Sequence, residues 1–232
     1  MSDQVDILAV IPARAGSKRL PGKNVMPLNG KPLVRWTLEA AIQSQVIDRI
    51  VVSSDDSRVL DEASALGVRG IERPAELASD TASTFDVLMH VLDTLAAEQV
   101  FPRRLMLLQP TSPLRDSTEI ARAVTEMDES DADSVVSVCP CEHSPLWSNT
   151  LGPQGQMDDF LREELRNIRS QDLPTYYRLN GALYLADTER FIGSRGFFMP
   201  NSRAHVMPVE KSIDIDTWVD FKLCELLLEQ NR

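Results

Sequence analysis

Four short apolar runs recur along the chain: Ile7–Ile11, Arg49–Ser53 (RIVVS), Leu105–Leu108 (LMLL) and Ser134–Val138 (SVVSV). Unbroken, β-branched runs of this length predict strands buried on both faces. Between and around them, Leu33–Ser44, Ser57–Leu66, Thr84–Ala97 and Ser117–Glu129 have helical patterning. In the third, Phe85, Leu88, Met89, Leu92 and Leu95 fall at i, i+3, i+4 and i+7, one apolar face. Strands alternating with helices predict βαβ units, an α/β fold with a mainly parallel sheet.

The rhythm stops after Val138. Residues 139–180 scatter Pro, Gly and polar residues, with one charged helical candidate at Asp158–Arg169. It resumes at Gly181–Leu185 (GALYL) and in a final helix, Trp218–Glu229. The expected organisation is an α/β core of residues 1–138 with 181–232, carrying an insertion at 139–180. With so little apolar patterning of its own, the insertion reads as an arm that pairs two copies of the chain.

Charge narrows the partners. The 232 residues carry 24 basic and 35 acidic side chains, net −11, a field that repels nucleic acid and anionic membrane. Met1–Asp6 has two acids and no cationic leader, and no run approaches the ~20 apolar residues of a membrane span. Cys139, Cys141 and Cys224 are too few and too poorly spaced for a metal knuckle, and read as reduced thiols of a cytoplasmic protein. His90, on an amphipathic helix, and His143, in the insertion, read as structural.

The basic residues are unevenly placed. From Ile7 to Leu38 there is no acid, while Arg14, Lys18, Arg19, Lys23, Lys31 and Arg35, six of the 24 cations, fall there. Most sit in PARAGSKRLPGKN (Pro12–Asn24), directly after the first predicted strand, where open α/β sheets bind ligands. Backbone N–H groups around Gly16 and Gly22 with Arg14, Lys18 and Lys23 make a phosphate cradle. It is no Walker loop: five residues separate the glycines and Asn24 follows Lys23 in place of Ser or Thr. G-x-G-x-x-G is missing too.

Near the end, Asp214 and Asp216 flank Ile215, and alternation along an extended segment puts both carboxylates on one face. Such oxygens suit Mg²⁺ shared with substrate phosphates and water. Equally, Asp216 precedes a helical run and would serve as an N-cap. The residues alone leave metal and cap open.

IPARAGSKRLPGKN resembles the signature of the cytidylyltransferases that activate acidic sugars with CTP. RPAELASDTAS (Arg73–Ser83), LLQPTSPLR (Leu107–Arg115), YRLNGALY (Tyr177–Tyr184) and SIDIDT (Ser212–Thr217) resemble the acylneuraminate branch in order and approximate spacing. The resemblance runs from Ile7 to the last helix. It implies a Rossmann-like nucleotide-diphospho-sugar transferase fold, a homodimer, Mg²⁺ as cofactor, and CTP with a nine-carbon acidic sugar as substrates. The implied products are the CMP-sugar and pyrophosphate.

The resemblance also implies residue roles. Arg14, Ser17, Lys18 and Lys23 would meet phosphate, Asn24 the ribose, and Arg73, Ala82 and Thr84 the cytosine and ribose. Gln109, Tyr184, Phe197 and Phe198 would surround the sugar, and Arg169 would meet its carboxylate, from its own or the neighbouring subunit. Asp214 and Asp216 become the metal pair and, with Arg14 and Lys23, the catalytic set. Trp147 stands where some sialate enzymes have lysine, and Arg169 is followed by an extra residue before Pro174; both departures lie on the sugar side and make legionaminate a rival acceptor. Two other classes compete: a non-catalytic nucleotide sensor, which has little need of the carboxylate pair, and a transferase for a neutral sugar, which has little need of Arg169.

Overall fold

The computed structural model describes residues 4–17, 19–79 and 81–230. Its main sheet has seven strands: β1 (Gln4–Pro12), β4 (Arg49–Ser54), β5 (Arg69–Glu72), β6 (Phe101–Leu108), β7 (Ser134–Pro140), β8 (Tyr177–Asp187) and β9 (Ser202–Val206). A separate two-residue ladder pairs β2 (Pro27–Leu28) with β3 (Lys31–Pro32). Helices are α1 (Leu33–Ser44), α2 (Ser57–Ala65), α3 (Thr84–Ala97), α4 (Ser117–Ser130), α5 (Thr188–Ser194) and α6 (Trp218–Gln230).

The strand order is β5-β4-β1-β6-β8-β7-β9, and β8 alone runs against the other six. The expected mainly parallel α/β fold is therefore present. Along β1, Ile7, Ala9 and Ile11 pack towards α1, α2 and α4, while Leu8 and Val10 pack towards α3. Both faces are apolar because both are covered, which is why the run does not alternate. From β1 the chain winds outward through β4 and β5, then crosses to β6 on the other side. The crevice at the C-terminal ends of β1 and β6 is thus the topological switch point.

Side-chain caps fix several helix starts. Ser83 accepts from the Asp86 N–H to open α3, and Asp116 accepts from the Glu119 N–H to open α4. A third apolar cluster, Leu20, Leu28, Leu33, Leu114, Ile215, Phe221 and Cys224, binds α6 to three loops. Those loops are the cationic turn, the turn after β6 and the Asp214–Asp216 segment.

Residues 139–180 depart from expectation: β7 runs on to Pro140 and β8 begins at Tyr177, so both ends of the segment lie in the main sheet. Asp158–Arg169 forms no α-helix, only a single 3-10 turn at Glu163–Leu165. The Asn149 amide donates to the carbonyls of Asp159 and Phe160, at 3.0 and 3.3 Å, taking acceptors a helix would need. Leu165 is the one buried residue of that turn, so an amphipathic face has nothing to pack against. β5, α5 and β9 were not anticipated; β9 (SRAHV) has too few apolar positions to read as a strand. Its His205 is wholly buried between two carboxylates of α4, with Nδ1 2.8 Å from Glu126 and Nε2 3.1 Å from Glu119. Among the described residues no helix is long and apolar enough to cross a membrane.

Candidate active site

The turn leaving β1 is held by its neighbours. The Ala13 N–H donates to the Ser53 carbonyl, and the Ala15 N–H to Asp55 Oδ1 at 2.8 Å. Asn24, buried, donates through Nδ2 to the Arg14 carbonyl at 3.0 Å and closes the loop across its base. Ser17 Oγ accepts from the Leu20 N–H, and Gly22 takes a left-handed φ of 68° to start a 3-10 turn at Lys23. With Leu20 in the apolar cluster, the polar side of the loop faces a cavity of about 440 Å³.

That cavity gathers most of the expected site. Arg14, Ser17, Lys23, Asn24, Arg73, Ala82, Thr84, Gln109 and Asp216 all line it. Lys18 lies outside the described residues. Lys23 donates through Nζ to the Ile215 carbonyl at 2.8 Å and to Asp216 Oδ1 at 3.3 Å. Arg19 Nη1 lies 3.0 Å from Asp216 Oδ2. The cationic loop and the carboxylate segment, nearly 200 residues apart, are therefore in direct contact. Arg73, 6 % exposed, donates to the Ser53 hydroxyl and carbonyl at 3.2 and 2.8 Å. Burial lowers its pKa, Asp55 opposes that shift, and the like charge of Arg14 adds to it.

Asp214 is the more buried of the carboxylate pair. Its Oδ1 is buried without a hydrogen-bond partner. Burial raises its pKa, and the charge of Asp216 pushes the same way against a hydrogen bond with Thr111 and the field of Lys23. The N-cap alternative for Asp216 fails: Thr217 and Asp220 cap α6 reciprocally, the Thr217 N–H donating to Asp220 Oδ2 at 2.6 Å and the Asp220 N–H to Thr217 Oγ1 at 3.4 Å. Asp216 is left to face the cations.

A buried, unpartnered Asp214 oxygen beside the half-exposed Asp216 carboxylate fits a divalent cation held jointly with phosphate. Among the described residues no cluster of three or more His, Cys, Asp or Glu could hold a metal without such help.

The remaining expected residues lie outside the cavity wall. Gly181, in β8, has a φ of 74°, and a Cβ there would stand 3.0 Å from Gln109 Oε1 and 3.7 Å from Asp214 Oδ2. Tyr184, three residues further along β8, has a raised pKa from burial and from Asp214. Its ring packs at a 44° tilt, 5.3 Å between centroids, against Phe197, which is core, while Phe198 is exposed. Arg169 is exposed on the insertion. Sequence reading missed Arg19 as a partner of Asp216, Asp55 as the anchor of Ala15, and the wholly buried Arg115. Asp55 had a signal, its position just past the second strand; Arg115 had none.

A cationic cradle facing paired carboxylates at the switch point of an open α/β sheet defines a nucleotidyltransferase. The sequence profile of the cytidylyltransferase family matches residues 8–191, and the chain belongs to that family. It is 40% identical over 234 residues to a CMP-N,N'-diacetyllegionaminic acid synthase of Legionella pneumophila, covering 97% of each chain. It is 36% identical over 216 residues to an N-acylneuraminate cytidylyltransferase of Streptococcus agalactiae, covering 92% of this chain and 51% of that one. The chain thus spans about half the length of that relative. In three dimensions it resembles a CMP:2-keto-3-deoxy-manno-octonic acid synthetase complexed with CTP, with a TM-score of 0.72, 20% identity, and 98% and 100% of the two chains covered. That last likeness is one of fold.

Proposed function

We propose that the protein joins CTP to a nine-carbon acidic sugar, a nonulosonic acid of the legionaminate type, giving the CMP-sugar and pyrophosphate. The observation that carries this reading is the single cavity in which Arg14 and Lys23 face Gln109 and Asp216. The similarity along nearly all of a CMP-N,N'-diacetyllegionaminic acid synthase supports the choice of sugar.

In this reading the anomeric oxygen attacks the α-phosphorus, the bond to the β-phosphate oxygen breaks, pyrophosphate leaves, and the hydroxyl proton is released. Little covalent work falls to the protein, so alignment and charge supply the acceleration. Arg14, Ser17, Lys18 and Lys23 hold the phosphates. Asn24, with Oδ1 buried and open as an acceptor, faces the ribose, and Arg73, Ala82 and Thr84 hold ribose and base. Gln109, Tyr184 and Phe198 form the acceptor side, with the buried Phe197 packed behind Tyr184. Asp214 and Asp216 would hold Mg²⁺, which would neutralise charge on the phosphates. Arg19 and Lys23, which pair with Asp216, are placed beside the incoming anion.

The insertion at 139–180 pairs two copies of the chain and presents Arg169 to an acceptor carboxylate. Its exposed Leu151, Met157 and Ile168, with Tyr176 and Tyr177 beside them, support that role. Use of CTP fits a cytoplasmic protein.

The reading is tested by ³¹P NMR of an incubation with CTP, Mg²⁺ and N,N'-diacetyllegionaminate. A phosphodiester resonance growing with free pyrophosphate is expected; CDP or inorganic phosphate as the product would exclude this transfer.

A further inference from the structure

Arg115 heads the largest wholly buried side chains among the described residues, at 1 % exposed. Its Nη1 donates to the Ala182 carbonyl at 2.8 Å and to the Gln109 carbonyl at 3.3 Å. Nε and Nη2, the edge that would grip a carboxylate side-on, are buried without hydrogen-bond partners. The adjacent Asp116 is turned away, one oxygen on Lys211 Nζ at 2.7 Å and the other on the Glu119 N–H. Burial accordingly pushes the Arg115 pKa down to about 9.

A guanidinium stripped of water and half-bonded is a poor stabiliser; an apolar side chain of similar volume in such a place is often neutral or better. What Arg115 does accomplish is a junction. Gln109 is the first residue after β6, and Ala182 follows the left-handed bend of β8 at Gly181. The Gln109 carbonyl also accepts from the Ser112 N–H at 3.3 Å and from Thr37 Oγ1 at 3.5 Å. Two residues on, the Thr111 carbonyl accepts from the Ile215 N–H at 2.8 Å, and the Thr111 side chain bonds Asp214. The end of β6 at Gln109 and the β8 bend at Gly181 therefore meet over one buried cation, and Thr111 ties the Asp214 segment to the same turn. Arg14 and Lys23 follow β1, and Arg73 follows β5, instead.

We propose that Arg115 is a positioning residue for the acceptor half of the site: by tying the Gln109 and Ala182 carbonyls together it sets the spacing of Gln109 against Asp214, without touching substrate. The assignment rests on the acceptor role given to Gln109 under the proposed function.

The test uses Arg115→Met and Arg115→Lys in the full chain, with thermal melting, CTP binding by calorimetry, and acceptor KM. For R115M the melting temperature holds or rises, CTP affinity stays within about twofold, and acceptor KM rises about tenfold, the scale of one lost charged hydrogen bond. R115K, which restores one donor, falls between. An unchanged acceptor KM in R115M overturns the proposal. So does a joint loss of melting temperature, CTP affinity and acceptor KM, the mark of a merely structural arginine. If R115M does not fold, R115K decides alone: raised acceptor KM at parental stability supports the clamp, unchanged KM refutes it. Parent enzyme silent with every nonulosonic acid counts against the proposed function. The clamp is then read by amide hydrogen exchange at 109–112 and 181–183, faster in R115M if it exists and unchanged if it does not.

Discussion

Replacing Gly181 with alanine separates two costs that the structure places at one atom. The first is conformational: at a φ of 74° a Cβ meets the neighbouring carbonyl oxygen, costing about 1–2 kcal/mol. In a chain of this size that lowers the melting temperature by about 2–8 °C. The second is local. The new methyl would stand 3.0 Å from Gln109 Oε1, so that amide must retreat by a few tenths of an ångström, while the 3.7 Å approach to Asp214 is ordinary contact. A displaced Gln109 raises acceptor KM about tenfold. CTP affinity is unaffected, because the cradle of Arg14 and Lys23 hangs on another strand. Differential scanning fluorimetry and steady-state kinetics with each substrate varied in turn read both effects. A Gly181→Ala protein with parental melting temperature and parental acceptor KM would refute the reasoning. Equal loss for both substrates would show that the β8 bend is not specific to the acceptor half.

Three further outcomes follow. Arg14→Ala should cut turnover with CTP by about 10²–10³-fold with the melting temperature little changed, and activity within a few-fold of the parent would remove Arg14 from the phosphate cradle. Asp214 has a raised carboxyl pKa in the fold, so its stabilising contribution is present at low pH and is lost as pH rises through that pKa. Asp214→Asn should therefore melt higher than the parent at pH 8, with the gap closing as the pH falls towards about 4, and should show less stabilisation by CTP with Mg²⁺; a gap that widens on acidification contradicts the sign. Thr217→Ala should lose about 1 kcal/mol as the cap of α6, whereas a silent Thr217→Ala beside a costly Asp216→Ala would return the cap to Asp216.

Much of the nucleotide half was legible because its cause is local. Unalternating apolar runs mark strands covered on both faces, and the helix caps at Ser83 and Asp116 are polar residues at the predicted starts. The cradle announced itself as an acid-free basic window at the end of the first strand. What stayed hidden depends on distant partners. Nothing local in Asp216 tells that Arg19 and Lys23 reach it from the other end of the chain, although the T-x-x-D capping pair that relieves it, Thr217 with Asp220, lies right beside it. Asp158–Arg169 has helix-forming composition, yet Asn149 takes its carbonyls. Arg115 looks like a surface cation in sequence, and only the junction of β6 with β8 buries it. Phe197 and Phe198, adjacent in sequence, part company because one faces the core cluster with Phe191 and the other faces solvent.

The central claim is tested most directly by pyrophosphate release with CTP and Mg²⁺, offering N,N'-diacetyllegionaminate, N-acetylneuraminate, pseudaminate and 3-deoxy-manno-octulosonate in parallel. The account predicts release with a nine-carbon acid, legionaminate foremost, well above that with the eight-carbon acid. Binding of CTP without release from any nine-carbon acid would contradict it.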